Sequence, residues 1–496
     1  MKIFRRIFPV LFAGIWLGAG FTAQAATIVV DSNSDGFVLI FPGHPVPPPV
    51  CTLRDAITAA NTNVAVNGCS KGDPGLDTII FDIGSGTPTI RPNSMLPVIL
   101  EPIFIKGDSG GATRVEIDGT AASRWLLFGR VHGLYLVGGR STIRNMVINR
   151  FSGDGIVLDA ITGGVLPDPT PPSIPDKTLP VIPRFARPQE PDCPPGGGSA
   201  PPDIPDVQGA GASNLIVGCF IGTDSTGTIA LGNGSGIETA GIVTITDFNI
   251  IGGSTPAERN VISGNRGQGL LLAGRGNYVR GNFIGTDVTG TLALGNQFDG
   301  INIAGGQLSS ATGAIGASLN SADPQCGVVI DAATGRVVND HPECGNRIAF
   351  NSQNGITGGF NRYWFLSNSI FSNGSLGIDA DLIGVTPNAV NSSRNFPVWT
   401  SAVRQFMLLP PFVGTRVTGS ITNRGNQEVV VQIFHSPTCD PSGNGEGQDY
   451  VGSVRLPANG TFSFFLPRIG GFVTATSTTR WQPLLWTSEF SACIRI

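Results

Sequence analysis

The stretch "CFIGTDSTGTIALGN" runs from Cys219 to Asn233, and "NFIGTDVTGTLALGN" runs from Asn282 to Asn296. From the phenylalanine to the final asparagine the two copies differ at only two positions, Ser for Val and Ile for Leu. A repeat of this kind indicates stacked units, because each unit buries its apolar side only against a neighbour. The offset of 63 residues predicts that the copies lie three coils apart, with about 21 residues in each coil.

A shorter pattern places an asparagine four residues before a glycine, and Leu or Ile follows each glycine. Short β-type runs precede several of these asparagines, so the unit reads as strand, Asn turn, Gly, strand. Strands of this length, without two-residue hairpin signals, predict coils that pair in parallel with their neighbours. Asparagines at equivalent turns are then expected to stack and bond from coil to coil. The pattern occurs at Asn265–Gly269, Asn296–Gly300, Asn351–Gly355 and Asn373–Gly377.

The composition and the N-terminus bear on location and partners. Charged residues make up only 13% of the chain, whereas soluble domains usually carry about a quarter. The sequence has no basic patch of the kind that would indicate a nucleic-acid partner. A basic start, an apolar stretch and Ala23-Gln24-Ala25 predict a signal peptide over residues 1–25. A membrane anchor is the alternative, but the stretch is short for a span of about 20 residues. We expect a secreted or cell-surface protein without a transmembrane segment after leader cleavage; periplasmic retention stays open.

The chain has eight cysteines, and export permits disulfides. The absence of a CxxC motif and the scattered histidines argue against zinc. Cys193 and Cys219 are left over, and whether they pair with each other is open. The predicted disulfides are Cys51–Cys69, Cys326–Cys344 and Cys439–Cys493.

Several motifs resemble one known family. "CTLRDAITAAN" (51–61) followed by "GLDTIIF" (75–81) resembles the CSLREA-type N-terminal region of exported bacterial right-handed parallel β-helix proteins. The "IGTD…TGT…ALGN" repeats resemble their coils, and "NFPVWTSA" (395–402) with "TSEFSAC" (487–493) resembles their terminal β-sandwich. The resemblance implies an all-β, pectate-lyase-like solenoid, a right-handed parallel β-helix with an N-terminal helical cap and a C-terminal Ig-like β-sandwich. It implies no particular activity, because fold does not determine function.

The domain map follows from these motifs. Residues 26–82 form the cap, 83–395 the parallel β-helix, and 396–496 the sandwich. A proline-rich insert, 163–211, is predicted to leave the stack as an extended or disordered arm. In the cap, Thr52 is a predicted helix N-cap with Asp55 three residues on. The apolar stripe of this helix is formed by Leu53, Ala56, Ile57 and Ala60.

Few acids are placed for catalysis. Asp379 and Asp381 alternate onto one side of a strand, and Asp299 directly precedes Gly300. Hydrolysis or elimination on this fold needs carboxylates that converge on one groove. For Asp379 and Asp381 the structural alternative is a turn and capping role at the end of a coil, and a turn role is also our prediction for Asp224 and Asp287 in the two copies.

A calcium loop is partly matched near the N-terminus. In "DSNSDG", Asp31, Asn33 and Asp35 match the first half of such a loop. The twelfth position is Pro42 rather than a bidentate glutamate. Ca²⁺ is therefore one open interpretation of this segment, and an ordinary Asx turn is the other.

Two aromatic groups are candidates for stacking on sugar rings. Strand alternation in "FNRYWF" puts Tyr363 and Trp364 on opposite faces, so one face is expected to be exposed. Trp481 and Trp486 are expected in a turn between sandwich strands. The alternative is that these two tryptophans pack on the coil stack and set the angle of the sandwich.

These observations favour an exported extracellular or cell-surface protein without catalytic activity that binds a glycan or another surface polymer. One alternative is a polysaccharide lyase or glycoside hydrolase that acts on the β-helix flank. Another is a structural envelope or spacer protein. Converging acids with shifted pKa values on one flank would favour the enzyme, whereas exposed Trp481 and Trp486 without such acids would favour the binding protein.

Overall fold

The structure is a computed structural model. It describes residues 25–35, 48–124, 129–160, 212–304, 313–320, 323–330, 337–358, 363–380, 384–389, 392, 394–408, 411–423, 427–481 and 484–496. The proline-rich insert 163–211, Cys193 and Asp381 lie outside these residues.

Most of the described chain forms coils that pair in parallel, as the repeats predict, and these coils build three sheets. Across the described residues, the first sheet has nine strands, the second eight and the third seven. The first sheet contains, in spatial order, Thr27–Val30, Asp77–Phe81, Ile103–Lys106, Thr142–Arg144, Leu215–Val217, Ile250–Gly252, Tyr278–Arg280, Gly313–Gly316 and Tyr363–Leu366. The second contains Thr89–Ile90, Val115–Asp118, Met146–Asn149, Phe220–Ile221, Val261–Ile262, Phe283–Ile284, Arg347–Ala349 and Ser369–Phe371. The third contains Leu134–Leu136, Ile156–Leu158, Ala240–Thr244, Gln268–Leu272, Ile301–Ile303, Ile356–Gly358 and Ile378–Asp379.

The strand register corrects the predicted spacing of the two copies. Phe220 pairs with Val261, and Val261 pairs with Phe283, so the copies lie two coils apart, not three. The coils are unequal because each copy carries an outer loop, closed in the first copy by a bridge between Thr223 and Ala230. The intervening coil lacks such a loop, so the two outer loops meet across it.

Apolar side chains fill the inside of the coils in continuous columns. Successive residues of a strand point to opposite sides, and parallel in-register pairing puts one aliphatic residue directly above another. Each fully buried side chain of this kind contributes about 1.5–3 kcal/mol. In the first sheet the column consists of Ile28, Ile79, Ile105, Ile143, Ile216, Ile251, Val279, Ile315 and Phe365.

Asparagine ladders run along the turns, as predicted. In each ladder the backbone N–H and the side-chain amide of one asparagine donate to Oδ1 of the next. These bonds satisfy buried polar groups that the sheets leave unpaired at every turn. Within the described coils the ladders are Asn260–Asn282–Asn346–Asn368, Asn233–Asn265–Asn296–Asn351–Asn373 and Asn214–Asn249–Asn277.

The N-terminal end of the stack is covered by the predicted helix. It spans Leu53–Thr62, and Thr52 caps it by accepting a hydrogen bond from the backbone of Asp55. All four residues of the predicted stripe are buried. The disulfide Cys51–Cys69 ties the start of the helix to the segment that follows it.

An antiparallel β-sandwich covers the other end. One sheet has the order Val398–Leu408, Pro411–Ile421, Gly460–Leu466. In the other, the strands Asp449–Leu456, Val429–Ser436, Phe472–Trp481 and Leu484–Thr487 follow one another, and Ile494–Arg495 also pairs with Phe472–Trp481. The disulfide Cys439–Cys493 joins two loops of this domain.

Side chains of the sandwich accept hydrogen bonds from N–H groups of the last coil. Thr487 accepts from the backbone of Phe365, and Gln432 accepts from that of Ser367. Glu446 accepts two hydrogen bonds from Asn373 and so ends the longest described ladder. The sandwich therefore closes the open end of the stack, whose unpaired edge would otherwise favour aggregation.

The remaining cysteines include one pair and one free thiol. Cys326–Cys344 forms as predicted and lies beside a short antiparallel hairpin, Val329–Ile330 with Val337–Asn339. Cys219 carries a free, fully buried thiol at the end of the Asn260 ladder, where its backbone N–H donates to Asn260. Burial raises the pKa of this thiol to about 12, so Cys219 is an inert core residue.

Candidate functional site

A row of polar side chains marks the outer face of the third sheet near the sandwich. Asn302 pairs in register with Thr357, and Thr357 pairs with Asp379. All three are half-buried, and they stand on successive coils about 4.8 Å apart. We call these three residues, together with Asp299 and Asn354, the flank cluster.

Asp299 and Asn354 form a second row within the flank cluster. Each occupies the position directly before the glycine of its repeat, and each accepts a hydrogen bond from the next coil. Oδ1 of Asp299 accepts from the backbone of Asn354 at 3.0 Å, and Oδ1 of Asn354 accepts from that of Leu376 at 2.9 Å. Asp299 thus has a structural role that the sequence interpretation did not include.

Hydrogen bonds join the flank cluster both within and between its coils. Nδ2 of Asn302 donates to Asp299 at 3.3 Å, and Nδ2 of Asn354 donates to Thr357 at 3.0 Å. The same Nδ2 of Asn354 lies 3.4 Å from Oδ2 of Asp379. Two of the predicted acids are therefore linked through one residue, because the backbone N–H of Asn354 donates to Asp299 and its side-chain amide donates to Asp379. Asp381 lies outside the described residues.

The two acids of the flank cluster hold their protons more tightly than usual. Burial raises the pKa of Asp299, although hydrogen bonds from Asn354 and Thr357 oppose the effect. Burial also raises the pKa of Asp379, and the negative charge of Asp299 adds to it. Asp299 is only 3% exposed, so Asp379 is the acid of this pair that can meet a ligand.

The sequence interpretation missed Asn302, Asn354 and Thr357. Asn354 in "NSQNG" occupies the same position as Asp299 in "NQFDG", and aligning the repeats would have identified it. Asn302 and Thr357 are found only from the register, because neither belongs to a motif that carries chemistry on its own.

A second polar group lies at the other end of the third sheet. Nδ1 of His132 is 3.0 Å from Oδ2 of Asp154, and it also accepts from the Asp154 backbone at 3.1 Å. Tyr135, whose ring packs edge-on against His132, donates its hydroxyl proton to Asp159. Burial and this bond to Asp159 raise the pKa of Tyr135. Oδ1 of Asp154 accepts from the next coil, the same structural role as Asp299.

The aromatic candidates are not free on the surface. Tyr363 and Trp364 are each 5% exposed, which corrects the expectation that one of their faces is open. Tyr363 donates to the carbonyl of Gly274, and Trp364 packs in an apolar cluster with the Cys326–Cys344 disulfide and Val430 of the sandwich. The burial follows from segments distant in sequence that cover this end of the first sheet.

The two sandwich tryptophans lie on strands rather than in a turn. Trp481 ends the strand Phe472–Trp481, and Trp486 lies in Leu484–Thr487. Trp486 is half-buried, and the Arg394 guanidinium stacks on its ring at 3.6 Å from the centroid. Its neighbour Thr487 accepts a hydrogen bond from the Phe365 backbone in the coil stack, and packing of Trp486 itself on the coils stays a prediction.

The calcium candidates are engaged by protein groups. Oδ1 of Asp31 accepts from the Cys51 backbone at 2.7 Å, and both oxygens of Asp35 bond Arg54. A separate group of potential ligands, His341, Glu343 and Cys344, lacks a thiolate because Cys344 is in a disulfide. Within the described residues, which leave out 36–47 and with them the rest of the candidate loop, neither arrangement presents the six to eight free oxygens that Ca²⁺ prefers.

Asp224 and Asp287 close the two outer loops, as predicted for turn residues. Asp287 accepts from the backbone of Thr291 and Leu292 and from the Thr289 hydroxyl. Burial acts to raise the pKa of Asp287, but these hydrogen bonds outweigh it and lower the pKa below its usual value. Asp224 makes the equivalent bonds.

We expect Asp287→Ala to destabilise the fold by about 1–2 kcal/mol at neutral pH, because two loop N–H groups lose their acceptor. Because the pKa of Asp287 is lower in the folded than in the unfolded state, its carboxylate stabilises the fold at pH values above the unfolded-state pKa of about 4. This contribution is lost as the pH falls through the folded-state pKa. Urea unfolding at pH 7 and at about pH 3 should therefore show that the difference in free energy of unfolding between wild type and variant is smaller in acid. The exposed Asp82 supplies the control Asp82→Ala; an equal loss there would contradict the prediction.

No protein-family model matches the chain, and no curated protein matches it either. Among the described residues, none of the helices has the length and apolar character needed to cross a bilayer.

Proposed function

We propose that the protein is exported and binds a neutral polysaccharide along the flank cluster without cleaving it. The observation that carries the proposal is the in-register row Asn302, Thr357 and Asp379. It offers amide, hydroxyl and carboxylate groups at regular intervals on a rigid scaffold. Sugar hydroxyls both donate and accept, so they match such a row.

The surface chemistry supports a neutral partner. Charged residues are only 13% of the chain, and its formal net charge is −4, so long-range attraction to a highly charged polymer is weak. The three disulfides agree with export to an oxidising compartment. Within the flank cluster the side chains already hold each other in place, which lowers the entropy lost on binding.

A glycoside hydrolase is the second candidate, and one observation favours it. Asp299 and Asp379 both have raised pKa values, and the charge of Asp299 contributes to the raised value of Asp379. A carboxyl with a raised pKa can protonate a leaving group, while a second, ionised carboxylate attacks or activates water. The near-complete burial of Asp299 is the reason we place this function second.

We expect Thr357→Val and Asp379→Ala each to weaken polysaccharide binding about tenfold, because each removes a polar contact worth about 1–1.5 kcal/mol. The measurement is retardation in native gels cast with soluble neutral glycans. Thr142, which is also half-buried on a parallel strand but lies in the first sheet, supplies the control Thr142→Val. Equal retardation of the wild type and the flank variants on every glycan would refute the proposal.

The same purified protein decides between binding and cleavage. Incubation with neutral and acidic polysaccharides, with and without Ca²⁺, is followed by reducing ends and by unsaturated-uronate absorbance. Turnover that Asp379→Asn abolishes would establish the hydrolase or lyase instead. If glycans are neither retarded nor cleaved, a structural spacer becomes the simplest account.

A further inference from the structure

A pocket of about 190 Å³ lies where the last coil meets the sandwich. Phe371 and Ser372 of the coil form one side, the loop 438–441 forms the other, and Glu446 lies between them. The volume is several times that of a water molecule, about 30 Å³, and below the roughly 300–1,000 Å³ of pockets for drug-sized ligands. We call it the junction pocket, and its size suits a single ring with polar substituents.

The loop that forms one side is held rigidly. The disulfide Cys439–Cys493 anchors it, and the Asp440 backbone donates to the carbonyl of Gly445 at 3.1 Å. Gly443 donates back to Asp440, and Cys493 donates to Gly443. A site that is already formed loses little entropy when a ligand enters, so even a small ligand can bind measurably.

Glu446 gives the junction pocket its chemistry. It is 7% exposed, and the backbone and side-chain amides of Asn373 both donate to its Oε1, at 3.2 and 2.9 Å. Burial raises the pKa of Glu446 to about 7, and the charge of Asp440 adds to the effect. Near neutral pH the carboxyl is therefore protonated in about half of the molecules and can either donate or accept.

The other groups of the junction pocket favour a polyhydroxylated ligand. Asp440 and Gln448 are half-buried polar side chains, and the ring of Phe371 is half-buried beside them. A bare cation fits poorly, because Ca²⁺ needs six to eight oxygens at about 2.3–2.6 Å. The metal-ligand groups found in the described residues do not include the two acids of this pocket.

We propose that the junction pocket binds one uncharged sugar residue, which hydrogen-bonds Asp440, Glu446 and Gln448 and packs against Phe371. The pocket shares no residue with the flank cluster. A negative result at one site therefore leaves the other proposal intact.

The test is titration calorimetry and saturation-transfer NMR with glucose, galactose, mannose, xylose, rhamnose and N-acetylglucosamine, each up to about 10 mM. We expect at least one sugar to bind, and Gln448→Ala and Phe371→Ala each to weaken it by about tenfold or more. Phe350 packs edge-on against Phe371 with ring centroids 5.5 Å apart but does not line the pocket. Phe350→Ala is therefore the matched control and should leave the affinity unchanged.

The pH profile provides a second readout. Because Glu446 titrates near pH 7, the affinity should change between about pH 6 and pH 8, and Glu446→Gln should bind the sugar without that change. Thermal melting of every variant separates lost binding from lost folding. The proposal is overturned if none of the sugars binds, if both pocket variants bind as wild type does, or if Ca²⁺ alone occupies the site.

Discussion

Replacing Asn282 by alanine should destabilise the β-helix by about 4 kcal/mol. The side chain is fully buried and makes four hydrogen bonds, donating to Asn346 and to the Ile251 carbonyl and accepting twice from Asn260. Alanine would leave the buried N–H of Asn260 without an acceptor and would open a small cavity. Urea unfolding, followed by the far-ultraviolet circular dichroism of the strands, measures the loss.

The control for this substitution is Asn93→Ala. Asn93 is exposed, and only its backbone takes part in a hydrogen bond among the described residues. We expect its replacement to change the free energy of unfolding by less than about 0.5 kcal/mol. A loss below about 1 kcal/mol for Asn282→Ala would mean that the ladder orders the turns without stabilising them.

Gly300→Ala should cost about 3 kcal/mol, because a methyl group at this position has no space. An added Cβ would lie 2.7 Å from the Gly355 carbonyl oxygen, 2.7 Å from Ile348 and 2.8 Å from Nδ2 of Asn351. Two of these atoms belong to the backbone or to a ladder and cannot move without breaking hydrogen bonds between coils. The glycine of the repeat is thus required by the closeness of the next coil.

Gly460→Ala provides the matched comparison. Gly460 begins a strand, whereas Gly300 directly precedes one, and an added Cβ at Gly460 meets nothing within 4 Å. We expect this variant to unfold at the same urea concentration as wild type or slightly above it, since alanine restricts the unfolded chain. Similar losses for both variants would show that contact with the next coil does not explain the Gly300 result.

Predictions that rest on local pattern agree with the structure. The N-cap at Thr52, the asparagine turns and the turn roles of Asp224 and Asp287 depend on residues close in sequence. The three disulfides also form as predicted, because each joins segments within one structural unit. The hydrogen-bonding groups of a side chain and the spacing of apolar residues are local properties of the sequence, so they can be interpreted before the fold is known.

Predictions that depended on the lengths of other coils, or on packing between segments distant in sequence, were wrong. The copies lie two coils apart, because an outer loop adds residues without adding a coil. Tyr363 and Trp364 are buried, although strand alternation alone leaves one of them outside. Tyr363 packs in the main core, whereas the cover of Trp364 comes from the region around the Cys326–Cys344 disulfide and from the sandwich, which strand alternation cannot reveal.

The sequence alone determined the coiled all-β architecture and its asparagine turns, because these follow from a repeat that each unit satisfies with its neighbours. It also determined the helical cap, through a local N-cap and an apolar stripe. Only the tertiary structure decided which polar residues meet. Asp299, Asn354 and Asp379 are joined across three coils, and Glu446 of the sandwich ends a ladder that begins in the coils. The register of stacking and the docking of the last domain set these contacts, and both depend on residues far apart in the chain.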